Sequence, residues 1–195
     1  GQSEAITEVK RSMDYIHREA FLCLPELLEK LDINEPLILF GHSDGGSIAL
    51  LFASKYVEKV KAVITEADHV FVESVTIEGI RGAISSFEKG KLKAALEKYH
   101  GEKTEAMFRS WSSAWLSESG ILWNIEDFLK NIEAPVLAIQ GKDDMYGTAE
   151  QLASKLRNIT GHTEILFLNA CGHIPHHQAR EKVVSRVKDF ISGIL

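Results

Sequence analysis

The residue in this sequence with the clearest chemical potential is Ser43, which stands in the pattern Gly41-x-Ser43-x-Gly45. A short apolar run, 37–40, precedes the pattern, and a run rich in alanine and leucine, 47–56, follows it. The pattern therefore falls at a predicted turn from a buried strand into a helix. A serine on such a sharp turn stands clear of the sheet, where its hydroxyl can act as a nucleophile.

The residues next to Ser43 suit that chemistry. We expect Gly41 and Gly45 to relieve crowding between the strand, the turn and the helix, and Gly46 to add clearance. The free N–H groups at the start of a helix favour negative charge, and the backbone N–H of Asp44 would be one donor to an oxyanion. A simpler interpretation is a glycine-rich turn in which Ser43 caps the helix. A dinucleotide site is disfavoured because the segment lacks the pattern G-x-G-x-x-G.

Strand and helix patterns alternate along most of the chain. Strands are predicted at 37–40, 60–65, 135–140 and 164–168, and helices at about 8–31, 47–56, 148–158 and 178–193. This alternation predicts βαβ units and a mostly parallel sheet flanked by helices, which is an α/β fold. Pro25 should kink the first helix. The apolar stripes expected on these helices include Leu27 and Leu31, Leu152 and Leu156, and Val183 and Val184.

The segment from about 71 to 130 has a different character. It is rich in aromatic residues, among them Trp111 and Trp115, and in lysine and glutamate. It has no convincing strand pattern beyond a short one at 70–75, so we expect several short helices inserted into the core. Trp111 and Trp115 recur at helical spacing, which is more typical of residues that bury the small core of an insertion than of residues that face a ligand.

Residues 37–51, LILFGHSDGGSIALL, resemble the nucleophile elbow of the α/β-hydrolases, and most closely the branch of small esterases, lactonases and carbon–carbon bond hydrolases. The resemblance in motifs and in their order extends along nearly the whole chain. It implies a catalytic acid in the G-x-x-D segment 141–144, at Asp144 with Asp143 as the alternative. It also implies a catalytic histidine at His173, in a Gly-His pair after the last strand.

The order Ser43, Asp144, His173 along the chain is the order that these hydrolases use. In the implied mechanism, His173 takes the proton of Ser43, and Asp144 holds the imidazole in the required tautomer. The implied function is a serine hydrolase that cleaves a small ester, lactone or related acyl substrate through an acyl-enzyme, without a cofactor. The alternatives are a carbon–carbon bond hydrolase or perhydrolase on the same fold, and a low-turnover ligand-binding or receptor-like protein.

The resemblance also divides the chain. Residues 1–70 and 124–195 would form the hydrolase core, and 71–123 a helical cap over an apolar pocket. The candidate pocket residues are His42, His69, Trp111 and Trp115. His69 follows a predicted strand together with Glu66 and Asp68, where active-site loops gather. For these three residues we favour the simpler expectation that they are solvated loop residues.

Some residue types near the end of the chain could also bind zinc, namely Cys171, His173, His176 and His177. Their spacing matches no familiar zinc motif and no second cluster completes a site, so we predict no metal. We expect His176 and His177 to pack at the start of the last helix. His42 is expected to support the loop next to the nucleophile.

Composition restricts the class of protein further. Of the 195 residues 45% are hydrophobic and the formal net charge is −6, so we expect a folded core rather than a disordered chain. A net negative charge would not attract nucleic acid or an anionic membrane. No apolar run reaches the length of a membrane span. The two cysteines form no disulfide framework, which fits a reducing compartment. We expect a cytoplasmic protein with a small-molecule substrate and no nucleic-acid or membrane partner.

The beginning of the chain is unusual for the family that it resembles. Gly1-Gln2-Ser3-Glu4 has neither an initiator methionine nor the character of a signal peptide. The resemblance implies further strands upstream and a His-Gly loop that supplies a second oxyanion donor. We therefore expect a hydrolase fold that lacks its N-terminal strands, with weak or no activity in the isolated chain. An exposed sheet edge would favour a homo-oligomer or a strand-exchanged dimer.

Overall fold

The computed structural model describes residues 2–4 and 11–194. Its strands are β1 (Leu37–His42), β2 (Val60–Glu66), β3 (Val136–Gly141) and β4 (Thr163–Leu168). The helices before β2 are α1 (Tyr15–Arg18), a π-helical turn (Glu19–Cys23), α2 (Leu24–Lys30) and α3 (Asp44–Lys55). The helices after β2 are α4 (Ser74–Glu88), α5 (Lys91–His100), α6 (Thr104–Trp115), α7 (Glu118–Ile121), α8 (Glu126–Leu129), α9 (Ala149–Asn158), α10 (Pro175–Gln178) and α11 (Arg180–Ser192). None of these described helices is long and apolar enough to cross a membrane.

The described strands form one parallel sheet in the order β1-β2-β3-β4, which confirms the predicted α/β architecture. Each crossover between neighbouring strands carries at least one helix, as parallel pairing requires. The carboxyl ends of the strands therefore lie at the same edge of the sheet. His42 at the end of β1 lies beside Glu66 at the end of β2. The loops that follow the strands meet at this edge, where open parallel sheets bind their ligands.

Apolar residues cover both faces of the middle strands. Alternate residues of a strand point to opposite faces, and in β2 Val63 packs in one buried cluster whereas Ala62 and Ile64 pack in another. Residues of α1, α2 and α3 complete the first cluster, and residues of α11 complete the second. Burial on both faces explains why these strands are continuous apolar runs in the sequence.

Strand β1 is less buried than its apolar run predicts. We expected 37–40 to be covered on both faces, but Phe40 is 53% exposed. Within the described residues, β1 stands at the end of the strand order and pairs only with β2. A short apolar run does not distinguish a central strand from one in this position.

The predicted apolar stripes of the helices are wrong at several positions. Leu27 and Leu31 are 51% and 58% exposed, whereas Leu28 is buried. The π-helical turn adds a residue ahead of α2, and each residue rotates a helix by about 100°, so the buried position moves from 27 to 28. Two further members of the predicted stripes are exposed, Leu156 and Val184. The beginning of the first predicted helix, 8–10, lies outside the described residues.

Helices α4 to α7 lie between β2 and β3, in the segment where we expected inserted helices. Ala83, Phe87 and Phe108 form a small core of their own, in which the two phenylalanine rings stack with centroids 4.0 Å apart. The strand expected at 70–75 is reduced to an isolated antiparallel bridge between Phe71 and Asn124. This bridge joins the two ends of the insertion. The role of 71–123 as a cap stays a prediction.

Candidate active site

Ser43 lies at the junction of β1 and α3 in a backbone conformation that residues with a side chain rarely adopt. Its φ is 54° and its ψ is −127°, so the chain turns sharply there. Strain of this kind is typical of a nucleophile turn between a strand and a helix. The N–H of Ser43 donates to the carbonyl of Glu66 at 2.8 Å, and the N–H of Gly46 donates to the carbonyl of Ser43 at 2.8 Å. The first bond ties the turn to β2.

Close packing around the turn explains two of its glycines. A Cβ atom at Gly41 would lie 2.2 Å from the carbonyl oxygen of Gly45, and one at Gly46 would lie 2.5 Å from Cβ of Asp68. Neither position leaves room for a side chain. Apart from its chain neighbours and the backbone of its own helix, a Cβ atom at Gly45 would meet no described atom within 4 Å. The expectation that Gly45 relieves crowding is therefore wrong, whereas the predicted clearance at Gly46 is needed beside Asp68.

The structure brings together the three residues predicted to form a catalytic triad. Nε2 of His173 lies 3.0 Å from Oγ of Ser43, and Nδ1 lies 3.0 Å from each carboxylate oxygen of Asp144. Because a carboxylate only accepts hydrogen bonds, we assign the proton to Nδ1, which leaves Nε2 to accept the serine hydroxyl. Asp143, the alternative acid, is exposed, and its backbone N–H donates to the carbonyl of Cys171.

Asp144 is held by two neighbours besides the histidine. Its side chain is fully buried and accepts hydrogen bonds from Nε2 of Gln140 at 2.6 Å and from the N–H of Tyr146 at 2.9 Å. The ring of Tyr146 also contacts that of His173, with centroids 4.6 Å apart. Sequence reasoning missed both neighbours, although they flank the G-x-x-D segment closely. These contacts fix the orientation of the carboxylate.

Asp44 begins α3 directly after Ser43, so its backbone N–H has no carbonyl partner within the helix. Its side chain accepts a hydrogen bond from the hydroxyl of Tyr15, which accepts one from Nε1 of Trp115 at 3.0 Å. Burial raises the pKa of the Asp44 carboxyl, and the hydrogen bond from Tyr15 partly opposes this shift. Burial also raises the pKa of Tyr15, and the charge of Asp44 adds to the effect. An acidic side chain desolvated beside the nucleophile is a feature that the sequence did not reveal.

A cavity of about 780 Å³ opens beside Ser43, which is within the size range of small-molecule sites. Its walls come from loops at the carboxyl edge of the sheet and from α4, α5 and α6. The residues predicted for the pocket all line it, namely His42, His69, Trp111 and Trp115. Apolar lining residues that the sequence did not single out include Ile80, Leu92, Leu96, Met107 and Phe108. The helices between β2 and β3 thus supply most of its apolar wall.

The three residues expected to be solvated, Glu66, Asp68 and His69, are all buried. Nε2 of His69 donates to the carbonyl of Tyr146 at 2.9 Å, and its ring meets that of Trp115 edge-on at 5.4 Å. Burial lowers the pKa of His69, which favours the neutral imidazole. The expectation fails because the chain after β2 remains inside the packed edge of the sheet, under the helices that follow.

Asp68 forms a buried ion pair with Lys155 of α9. The Oδ1 and Nζ atoms are 2.5 Å apart, and neither side chain is exposed to solvent. The other carboxylate oxygen of Asp68 has no hydrogen-bond partner among the described residues. The pair fastens the segment after β2 to α9. In the sequence, a lysine on a buried helix face looks the same as a solvated one, so Lys155 was not singled out.

The residues considered as zinc ligands have other surroundings. Cys171 is buried with its thiol 3.9 Å from Oε1 of Gln178, and Nδ1 of His176 donates to Glu66 at 2.6 Å. His177 is exposed and packs on the ring of His176. Across 2–4 and 11–194, no group of three or more His, Cys, Asp and Glu side chains is arranged to hold a metal ion.

Comparison with known proteins agrees with this fold. A family model described as "alpha/beta hydrolase fold" matches residues 12–122, more than half of the chain. A search of curated proteins gives no match to the sequence. Among solved structures, a thermophilic esterase from Thermogutta terrifontis is 19% identical with a TM-score of 0.66, and the match covers 100% of this chain and 76% of that chain.

Two other solved structures are similar over almost the whole chain. A serine hydrolase involved in carbazole degradation is 20% identical with a TM-score of 0.72, over 98% of this chain and 75% of that chain. A membrane phospholipase A described as a bacterial virulence factor is 22% identical with a TM-score of 0.76, over 100% of this chain and 67% of that chain. At these identities the likeness shows the fold.

Proposed function

Because this chain belongs to the α/β-hydrolase fold family, we propose that it is a serine hydrolase that cleaves an ester, lactone or related small acyl substrate. The family supports hydrolase activity in general. The observation that carries the finer proposal is the position of His173, whose two ring nitrogens lie 3.0 Å from Ser43 and 3.0 Å from Asp144. This arrangement is the one that activates a serine hydroxyl as a nucleophile.

The proposed reaction proceeds in two stages. In the first, Oγ of Ser43 attacks the carbonyl carbon while Nε2 of His173 takes its proton, and Asp144 stabilises the imidazolium that forms. The imidazolium then gives the proton to the leaving oxygen, and the acyl group remains on Ser43. In the second stage, water attacks the acyl-enzyme with His173 as the base, which releases the acid and restores the serine.

The oxyanion that forms in each stage needs donors that are already in place. The N–H of Asp44 and the positive end of the α3 dipole lie directly behind Ser43 and supply this role. Removal of a single donor of this kind typically costs about 3–4 kcal/mol of transition-state stabilisation. The strained turn is therefore expected to influence the rate strongly.

Three other histidines line the cavity, and the described contacts of two of them, His42 and His69, do not place them to act as the base. Burial lowers the pKa of both His42 and His69. Each directs Nε2 at a backbone carbonyl, that of His173 for His42 and that of Tyr146 for His69. Their N–H groups are thus engaged as donors. His173 is the histidine that the described contacts place between the serine hydroxyl and a carboxylate.

Hydrolysis of a panel of p-nitrophenyl esters and lactones tests this function, with Ser43→Ala beside the wild type. We expect weak turnover by this chain, which should fall to the background rate of hydrolysis in Ser43→Ala because the nucleophile is removed. Ser185→Ala, which changes an exposed serine on α11, is the matched control and should retain wild-type rates. Saturable binding of these esters without any turnover by the wild type would contradict the proposal and favour a ligand-binding protein.

A further inference from the structure

A further set of contacts lies next to the proposed triad, at the carboxyl ends of β1 and β2. From it we propose that Glu66 and His176 are positioning residues, which hold the segment that carries His173 so that Nε2 faces Ser43. This inference rests on the proposed function and gives Glu66 and His176 a role that neither the family match nor the sequence motifs assign to them.

Glu66 contacts both the turn that carries Ser43 and the segment that follows His173. It ends β2 beside His42 in the register of the sheet, and its side chain has no solvent exposure. Its backbone carbonyl accepts the N–H of Ser43 at 2.8 Å, and its Oε2 accepts the Nδ1–H of His176 at 2.6 Å. A single residue therefore joins the nucleophile turn to the segment that follows His173.

The segment that carries His173 has another anchor on β1. Nε2 of His42 donates to the backbone carbonyl of His173 at 2.6 Å, and burial lowers the pKa of His42, which favours the neutral imidazole. The ring of His42 lies 5.1 Å from that of His173 and 5.0 Å from that of His176. A change in the position of His176 would therefore disturb the packing of His42 and, with it, the backbone of His173.

The burial of Glu66 brings no evident gain in stability. Its Oε1 is buried and has no hydrogen-bond partner in the part of the chain that the structure describes. Burial removes the hydration of a carboxylate, and one hydrogen bond from a part-exposed imidazole does not fully replace it. A carboxylate in this place is better explained by the geometry that it imposes on the His173 segment than by stabilisation of the fold.

Substitutions at Glu66 separate positioning from simple packing. Glu66→Gln keeps an oxygen that accepts from His176. Glu66→Leu keeps a similar volume but removes the acceptor, and His176, whose side chain is 39% exposed, can then bond to water. With a p-nitrophenyl ester, we expect Glu66→Leu to lower kcat by about 10- to 100-fold, as a shift of about 1 Å in a reacting group does, with KM unchanged within about twofold.

Two comparisons make this result specific. Glu66→Gln should keep most of the wild-type kcat, because the hydrogen bond survives. His162→Gln changes an exposed histidine directly before β4, at the opposite edge of the sheet, and is the matched control, with wild-type kcat expected. If Glu66→Leu does not fold, Glu66→Gln/His176→Leu breaks the same link without leaving a buried charge unpaired, and the same loss of kcat is expected.

A spectroscopic measurement tests the inference without turnover. The Nδ1 proton of His173, bonded to Asp144, should give a downfield proton resonance in the wild type and in Glu66→Gln, and a shifted or missing one in Glu66→Leu. Wild-type kcat and an unchanged resonance in Glu66→Leu would overturn the positioning role while the serine mechanism stands. A wild-type chain that hydrolyses no ester would overturn the proposed function, and the resonance would then decide the positioning role by itself.

Discussion

Both carboxylate oxygens of Asp144 lie 3.0 Å from Nδ1 of His173, whereas Asp143, one residue earlier, is exposed. We therefore expect Asp144→Asn to lower kcat for ester hydrolysis by about 10⁴-fold, because an amide no longer keeps the imidazole in the required tautomer. Asp143→Asn is the matched control and should leave kcat close to that of the wild type. The reverse pattern in steady-state kinetics would show that Asp143 is the acid.

Because the carboxyl of Asp44 is buried, we expect the stability of the fold to depend on pH. Burial raises its pKa above the ordinary value of 3.8, so the folded chain holds this proton more tightly than the unfolded chain does. By linkage, the stability that the group contributes is present below the unfolded pKa and is lost as the pH rises through the raised folded pKa. A side-chain amide at this position would not ionise and could still accept the hydrogen bond from Tyr15. The Asp44→Asn variant is therefore expected to have a higher Tm than the wild type at neutral pH.

Thermal unfolding over a series of pH values checks this expectation. The difference in Tm between Asp44→Asn and the wild type should shrink as the pH falls toward 3.8. Asp143→Asn, which removes an exposed carboxylate, should show a much smaller dependence on pH. A difference in Tm for Asp44→Asn that is the same at every pH would rule out the ionisation of this carboxyl as its cause.

The buried pair of Asp68 and Lys155 predicts unequal effects of single and double substitutions. Lys155→Met leaves the fully buried carboxylate unpaired and should lower the free energy of unfolding by about 3–5 kcal/mol. Asp68→Asn/Lys155→Met removes both charges and should recover most of that loss. Lys30→Met breaks an exposed pair with Glu26 and should leave the free energy of unfolding almost unchanged. Denaturant unfolding distinguishes these cases, and equal losses in the single and double variants would exclude the unpaired charge as the cause.

Substitution by alanine should have different effects at the adjacent positions Gly45 and Gly46. Gly46→Ala places a Cβ atom 2.5 Å from Cβ of Asp68, so we expect a loss of about 1–3 kcal/mol in stability and a lower kcat as the turn shifts. Gly45→Ala meets open space within α3 and should be neutral or stabilising by up to about 1 kcal/mol. Unfolding curves and ester kinetics of both variants measure the two effects. A larger loss in Gly45→Ala than in Gly46→Ala would show that contact with Asp68 is not what requires a small residue in the turn.

The alternation of strands and helices and the nucleophile turn could be predicted because their signals are local in the sequence. A buried strand, a glycine-rich turn and a helix follow one another directly around Ser43, and hydrophobic periodicity is read within short windows. The contacts that orient the site were not predicted because they join distant segments. Tyr15 lies 29 positions from Asp44 and 100 positions from Trp115, and no local pattern marks any of the three as a partner of the others.

Burial was predicted less well than secondary structure, because exposure depends on what packs over each residue. Phe40 belongs to an apolar run but lies on the strand at the end of the described sheet. Leu27 follows a π-helical turn that rotates it toward solvent. Glu66 and Asp68 are charged, yet the helices and loops around β2 bury them completely. Composition and periodicity carry none of this tertiary information.

In the proposed mechanism His173, oriented by Asp144, activates Ser43 as a nucleophile. The most direct measurement is the rate at which a fluorophosphonate probe modifies the chain, followed by intact mass and located by peptide mapping. We predict a single adduct on Ser43, formed at a rate that falls by at least about 10³-fold in His173→Gln, because the hydroxyl is a weak nucleophile without its base. A Ser43 that does not react, or that reacts equally fast in His173→Gln, would show that His173 does not activate the serine.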